Sequence, residues 1–294
     1  MFGILTNIFT NQVGQSSGRG LSTRLWSLVH NTESTPDGSP AAAGLSDDLM
    51  NVGGSVGGTT AATAILSSES GGFGVYTSAN TAIAPLATEN GGVIRFSTPA
   101  ATNSEAYLTT GGNIGSLGKI DDTPGNGRLT VFEARLRVGQ AVNQGAFLGL
   151  ADPALAAAGT LVNTTGVPKS TVDCIGFSLV GATLKFIYQA AGQTAQAAQI
   201  NGSPWSATLT PATWYKVGLV YDPTQQPSQR LRVYLNGADQ SCPVPDSAMY
   251  ASGAAIATWP NAVPLAALVG FKSAEAVTKT LDLDWLAFWQ QQLS

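Results

Sequence analysis

The sequence predicts an all-β protein, an antiparallel sandwich or barrel, on three observations. Short β-branched or aromatic stretches recur between Gly, Asn and Pro turns. Several of them alternate apolar and polar residues, the period of a strand with one buried face. Helix is scarce: between strands only ADPALAAAG (151–159) reads as a helical turn or two. No unit of roughly 20–50 residues repeats, which argues against a propeller or solenoid. The 34 glycines and 15 prolines in 294 residues stay below the ~25–30 % of a disordered low-complexity chain.

Taken in order, residues 1–45 form an arm unlike the rest. Phe2, Ile4, Leu5, Ile8 and Phe9 recur at spacings that suit one helical face. In GLSTRLWSLVHN a second short face follows, with Leu21, Leu25, Leu28 and Val29, and Ser22 stands where an N-cap belongs. NTESTPDGSP then breaks the pattern. Such an apolar segment packs on its own domain or on a partner. Partner docking is the expectation carried forward, with Phe2, Ile4, Leu5, Ile8, Phe9, Leu21, Leu25 and Trp26 as the interface.

Residues 46–294 read as the sandwich. FGVYTS (73–78), VIRFSTP (93–99) and EAYLTTG (105–111) are short strands bounded by turns. In LTVFEARLRVGQ, Phe132, Ala134, Leu136 and Val138 alternate with Glu133, Arg135 and Arg137, a half-buried antiparallel strand. CIGFSLVGATLKFIYQA (174–190) gives two strands about a turn at Val180-Gly181-Ala182. TWYKVGLVYDP turns Tyr215, Val217, Leu219 and Tyr221 one way, and RLRVYLNGADQ sets Leu231, Val233 and Leu235 inward before a hairpin at Asn236-Gly237. In TLDLDWLAFWQ (280–290), Leu281, Leu283, Trp285, Ala287 and Trp289 read as an unbroken apolar face, with Asp282 and Asp284 on the wet side.

WYKVGLVYDP, a polar loop and LRVYLNG together resemble the core of concanavalin-like jelly rolls of the laminin-G and pentraxin type. The ordered series GGVIRFSTPAATNSEAYLTTGGNIGSL, FEARLRV, FLGLADP, DCIGFSL, WYKVGLVYDP, VYLNG and LDLDWL is similar to a group of tailed-phage virion proteins, over roughly 90–294. The resemblance implies an antiparallel concanavalin-like jelly-roll sandwich with an N-terminal arm. It further implies a capsid cement or decoration protein on the virion surface, bound to the major capsid protein and homo-oligomeric, with a trimer as the guess. The alternative is a glycan-binding, lectin-like virion or tail-associated adhesion protein that contacts a host-surface glycan. Trp205, Trp214 and Trp259 are its candidate platforms.

Chemistry finds little purchase. Concanavalin-like glycosidases space acidic residues E-x-D-x-x-E or E-x-D-x-E, because two carboxyls must flank the scissile bond. The last strand has only Asp282-x-Asp284, so no enzyme is expected. The single histidine, His30, stands beside no G-x-S-x-G elbow. Cys174 and Cys242 lack zinc spacing and read as buried free thiols. Asp121, Asp122 and Asp222 form no D-x-D-x-D-G series for calcium. No cofactor or metal is expected.

Composition sets the outer bounds. A net charge of −4 with no Lys/Arg cluster argues against nucleic acid. Charged residues make up 11 %, against about 25 % in typical soluble proteins, so a bare monomer would tend to associate. The N-terminus carries no Lys or Arg ahead of its apolar run, so it reads as a poor secretory signal, and no stretch is long and apolar enough for a bilayer span.

Overall fold

The computed structural model describes residues 21–22, 25, 42–47, 56–57, 62–66, 73–88, 92–110, 118–121, 127–157, 159–161, 167–200, 203–225, 229–241 and 258–291, with 42–47, 56–57 and 62–66 as backbone only. The alternating stretches become two antiparallel sheets laid face to face. The first, of nine strands, runs Ala238–Asp239, Leu231–Leu235, Trp214–Tyr221, Thr130–Val138, Lys279–Gln291, Ile94–Thr98, Ala82–Pro85 and Val56–Gly57. The last strand, Lys279–Gln291, is long enough to hold two neighbours along one edge. Ile94–Thr98 pairs with its first half and Ala42–Asp47 with its second. The arm–sandwich boundary at residue 45 therefore falls inside a strand of the sheet.

The second sheet, of ten strands, runs Gln196–Ala197, Thr183–Gln189, Cys174–Val180, Gln144–Ala151, Val263–Ser273, Glu105–Thr109, Phe73–Thr77 and Ala62–Leu66. Ser206–Thr208 and Gly118–Ile120 pair at its margins. This is an all-β, antiparallel jelly-roll sandwich. A 3-10 turn, Pro153–Leu155, is capped by Asp152, whose carboxylate accepts Ala154 N–H at 2.8 Å. That is the short helix expected within 151–159.

Side chains that alternate inward from both sheets make one core. Phe132, Leu136, Val217, Leu219 and Phe96 of the first sheet meet Leu148, Phe177, Phe186, Val269 and Phe271 of the second. Each is worth roughly 1.5–3 kcal/mol when fully buried. Asn236 and Gly237 both take positive φ, 51° and 75°. That is the backbone of the tight hairpin the pair predicts, with a twist that matches the flanking strands.

The last strand departs from its pattern. Leu283 pairs with Leu136, but Trp285, not Asp284, pairs with Arg135, so a β-bulge sits at Asp284. One extra residue inverts the alternation beyond it. Leu281, Leu283, Leu286 and Phe288 enter the core, whereas Trp285, Ala287 and Trp289 turn to the outer face beside Asp282. The unbroken apolar face of the sequence reading is thus two half-faces. The wet side is also corrected: Asp282 is 3 % exposed and Asp284 is fully buried.

Candidate functional site

The outer face of the first sheet carries both the charged strand and the bulge. Across four strands, register places Trp214, Arg137, Asp282 and Arg95 in one row. Side chains opposite one another in antiparallel strands share a face, so the row is continuous. Arg95 donates from Nε and Nη2 to the two carboxylate oxygens of Asp282, at 2.6 and 2.9 Å. Arg137 donates from Nε and Nη2 to Asp282 Oδ2, at 2.9 and 2.7 Å. One row along the strands, Arg135 Nη1 donates to Asp284 Oδ2. Trp214 lies over both arginines of its neighbouring strand, with Arg135 Cζ 4.3 Å and Arg137 Cζ 4.5 Å from its ring centroid.

Two unpartnered carboxylates here would cost several kcal/mol each. Arginine forks, which match carboxylates two bonds at a time, offset that cost. The pairing also decides what the aspartates can do. A carboxylate accepts about four hydrogen bonds, and four N–H groups already meet Asp282. Asp284 has no solvent exposure. Both carboxylates are thus committed to arginine partners.

Two rows further along, the face is apolar and covered. Leu21 and Leu25 pack with Val131, Val220, Tyr234, Trp285, Ala287 and Trp289. Gly218 opens the seat: a Cβ there would collide with Leu25 Cδ1. Between the seat and the arginines, Glu133 is fully buried. Its carboxylate accepts the Ser22 N–H at 3.0 Å and the Ser22 hydroxyl. Lys216 lies buried nearby. Burial pushes its ammonium below the ordinary range, and Arg135 adds to that while Glu133 opposes it.

The outer face of the second sheet holds a comparable cluster. Glu105 Oε2 accepts the Tyr107 hydroxyl at 2.8 Å and lies 3.3 Å from Lys272 Nζ, while Oε1 accepts the Gly159 N–H. Tyr107 Oη accepts Leu161 N–H at 3.2 Å, and Lys272 Nζ donates to the Leu161 carbonyl at 2.8 Å. Burial, with Glu105 adding, raises the Tyr107 phenol far above its usual range, so it stays a neutral donor.

No protein-family model matches the chain, and no curated protein does either. Among solved structures it is similar to a protein of unknown function from Shewanella oneidensis MR-1, at 15 % identity and TM-score 0.45, over 93 % of this chain and 96 % of that one. It is also similar to a Bacillus licheniformis β-glucanase, at 10 % identity and TM-score 0.46, over 84 % and 97 %. A third is the Emp46p carbohydrate recognition domain in its potassium-bound form, at 12 % and 0.42, over 82 % and 94 %. These values carry no inference about activity.

Of the eight residues expected at a partner interface, Leu21 and Leu25 are described, and both are covered by this chain's own sheet. For these two the sandwich itself is the partner, because the Gly218 seat fits Leu25. Phe2, Ile4, Leu5, Ile8, Phe9 and Trp26 lie outside the described residues, as do His30, Asp122 and Cys242. Cys174 is a buried free thiol, raised by burial. Asp222 closes its own turn on Thr224 and Gln225, and Asp121 pairs with Lys119 at 3.1 Å. Trp205 packs edge-on to Phe177, and Trp259 sits between Tyr188 and Tyr221. Both are core residues, so only Trp214 of the three platforms stays half-exposed. Sequence reasoning missed Arg95, Arg135 and Arg137 as partners of the aspartates. The signal was present: Arg-x-Arg on one strand and Asp-x-Asp on another pair directly when the two lie antiparallel.

Proposed function

We propose that this chain is a non-catalytic structural protein of a virion surface, a capsid cement or decoration protein that joins neighbouring subunits of the shell. The observation that carries the non-catalytic part is Asp282, held by four arginine N–H groups, with Asp284 sealed beneath Arg135. This acidic pair is a strut. The ordered motif series from GGVIRFSTP to LDLDWL supports the virion part, as does a composition of only 11 % charged residues. Leu21 and Leu25 anchor the N-terminal segment to the sheet, which leaves Phe2, Ile4, Leu5, Ile8 and Phe9 as the residues that reach the major capsid protein or a sister copy.

Labelling of imaged particles tests this reading. Label over the shell supports it. Label confined to a tail fibre, or none on the particle, overturns it, and polysaccharide hydrolysis by the purified protein overturns the non-catalytic part.

A second reading, glycan binding, is favoured by one observation: Trp214, half-exposed and backed by two guanidiniums. A panel of immobilised glycans tests it, and the two roles are compatible on one molecule.

A further inference from the structure

We infer that Asn236 is a self-modifying site, converted to aspartate and isoaspartate when its hairpin opens. The reaction needs only water. The main-chain nitrogen of Gly237 attacks Cγ of Asn236. An N–Cγ bond forms, the Cγ–Nδ2 bond breaks, and the amide leaves as ammonia with the proton of the Gly237 nitrogen. Water then opens the resulting succinimide at one of its two carbonyls. One opening gives aspartate; the other carries the main chain through the β-carbon, as isoaspartate. Glycine after asparagine favours ring closure, because it carries no side chain to hinder the approach. Asn236 is exposed, so water and base reach the ring.

The folded hairpin opposes the step. Asn236 Oδ1 accepts the Lys216 N–H at 2.9 Å, and the Asn236 N–H donates to the Lys216 carbonyl at 2.8 Å. Together they add one residue to the ladder that ends at Val217 and Leu235. Held on the neighbouring strand, the carboxamide is not free to turn onto the Gly237 nitrogen. Beyond the turn, the two residues of Ala238–Asp239 form the margin of the sheet. A local opening of that margin therefore frees the site while the sandwich stays folded. The two products differ in effect. Aspartate keeps an acceptor for the Lys216 N–H and adds one negative charge to a chain of net −4. Isoaspartate adds a main-chain atom to a two-residue turn, which no longer matches the flanking strands.

Incubation of the full chain in mildly alkaline buffer, folded and in urea, tests this by peptide mapping that separates aspartyl from isoaspartyl products. Asn236 should convert about tenfold faster or more in the unfolded chain. In urea too dilute to unfold the sandwich, conversion should rise in step with hydrogen exchange at the Lys216 amide, while the Leu148 amide in the core stays protected. Asn236→Asp should leave the Lys216 amide protected, because the acceptor remains. Loss of that protection overturns the carboxamide oxygen as the latch, and so do equal conversion rates in the folded and unfolded chain. Conversion that begins only when Leu148 loses protection overturns the local opening. No product at Asn236 in either state overturns the site.

Discussion

The outer faces of the two sheets use one device with different tethers. On the second sheet a buried glutamate, Glu105, accepts a backbone N–H from residue 159 and a phenol, with Lys272 beside it. On the first sheet a buried glutamate, Glu133, accepts the N–H and hydroxyl of Ser22, with Lys216 nearby. The segment held by Glu105 lies between the strands Gln144–Ala151 and Cys174–Val180, so both its ends are fixed in the same sheet. The segment held by Glu133, at Ser22, instead precedes the strand Ala42–Asp47 in the sequence. A closed loop regains little entropy when its clip is cut, because its ends stay together. The same chemistry closes a loop within one sheet on one face and holds a segment more than a hundred positions away in sequence on the other.

Lys272→Met should break the comparison hardest. It leaves Glu105 buried without its cation and the Leu161 carbonyl without its donor, and removing one partner of a buried pair costs about 3–5 kcal/mol. Urea unfolding should show that loss in a single transition. Glu133→Gln should come next, at about 1–3 kcal/mol. Its mark should be limited proteolysis that cuts around residues 21–25 while the sandwich survives; simultaneous loss of both would show that the first-sheet clip is as integral as the second.

Gly218→Ala should cost about 1–3 kcal/mol by overpacking the Leu25 seat, with the same early cleavage as Glu133→Gln. An unchanged cleavage rate would mean that Leu25 does not depend on that seat. Ser22→Ala, which removes only the hydroxyl bond to Glu133, should cost about 1 kcal/mol.

The smallest effect is a pH dependence at Lys216. Its folded pKa lies below the ordinary 10.5. Between those values the unfolded chain keeps a proton that the folded chain has released, so stability rises with pH across the interval. Melting curves of the wild type should gain on those of Lys216→Met as the pH climbs toward 10.5. A constant gap would show that the ammonium is not disfavoured in the fold.

Much of the fold was legible in the sequence for a simple reason: a half-buried strand writes its two faces into alternate residues. Phe132 to Val138 and Leu231 to Leu235 follow that rule, and Asn236-Gly237 adopts the backbone its chemistry favours. The site was less legible. Charge alternation at Glu133, Arg135 and Arg137 marked an outward face, and a face that points away from the core was read as wet. Outward and wet are different properties when a neighbouring strand brings the opposite charge, or another segment lies on top.

By itself, then, the sequence determined the all-β class, the inward residues of most strands and the tight hairpin, because periodicity and turn propensity act between residues a few positions apart. Only the tertiary structure decided where the last strand bulges, that Asp282 and Asp284 are locked by Arg95, Arg137 and Arg135, and that Leu25 settles over Gly218. Those outcomes join residues more than a hundred positions apart. Their energies depend on which charges and which cavities the completed sheets bring together, and no local pattern carries that information.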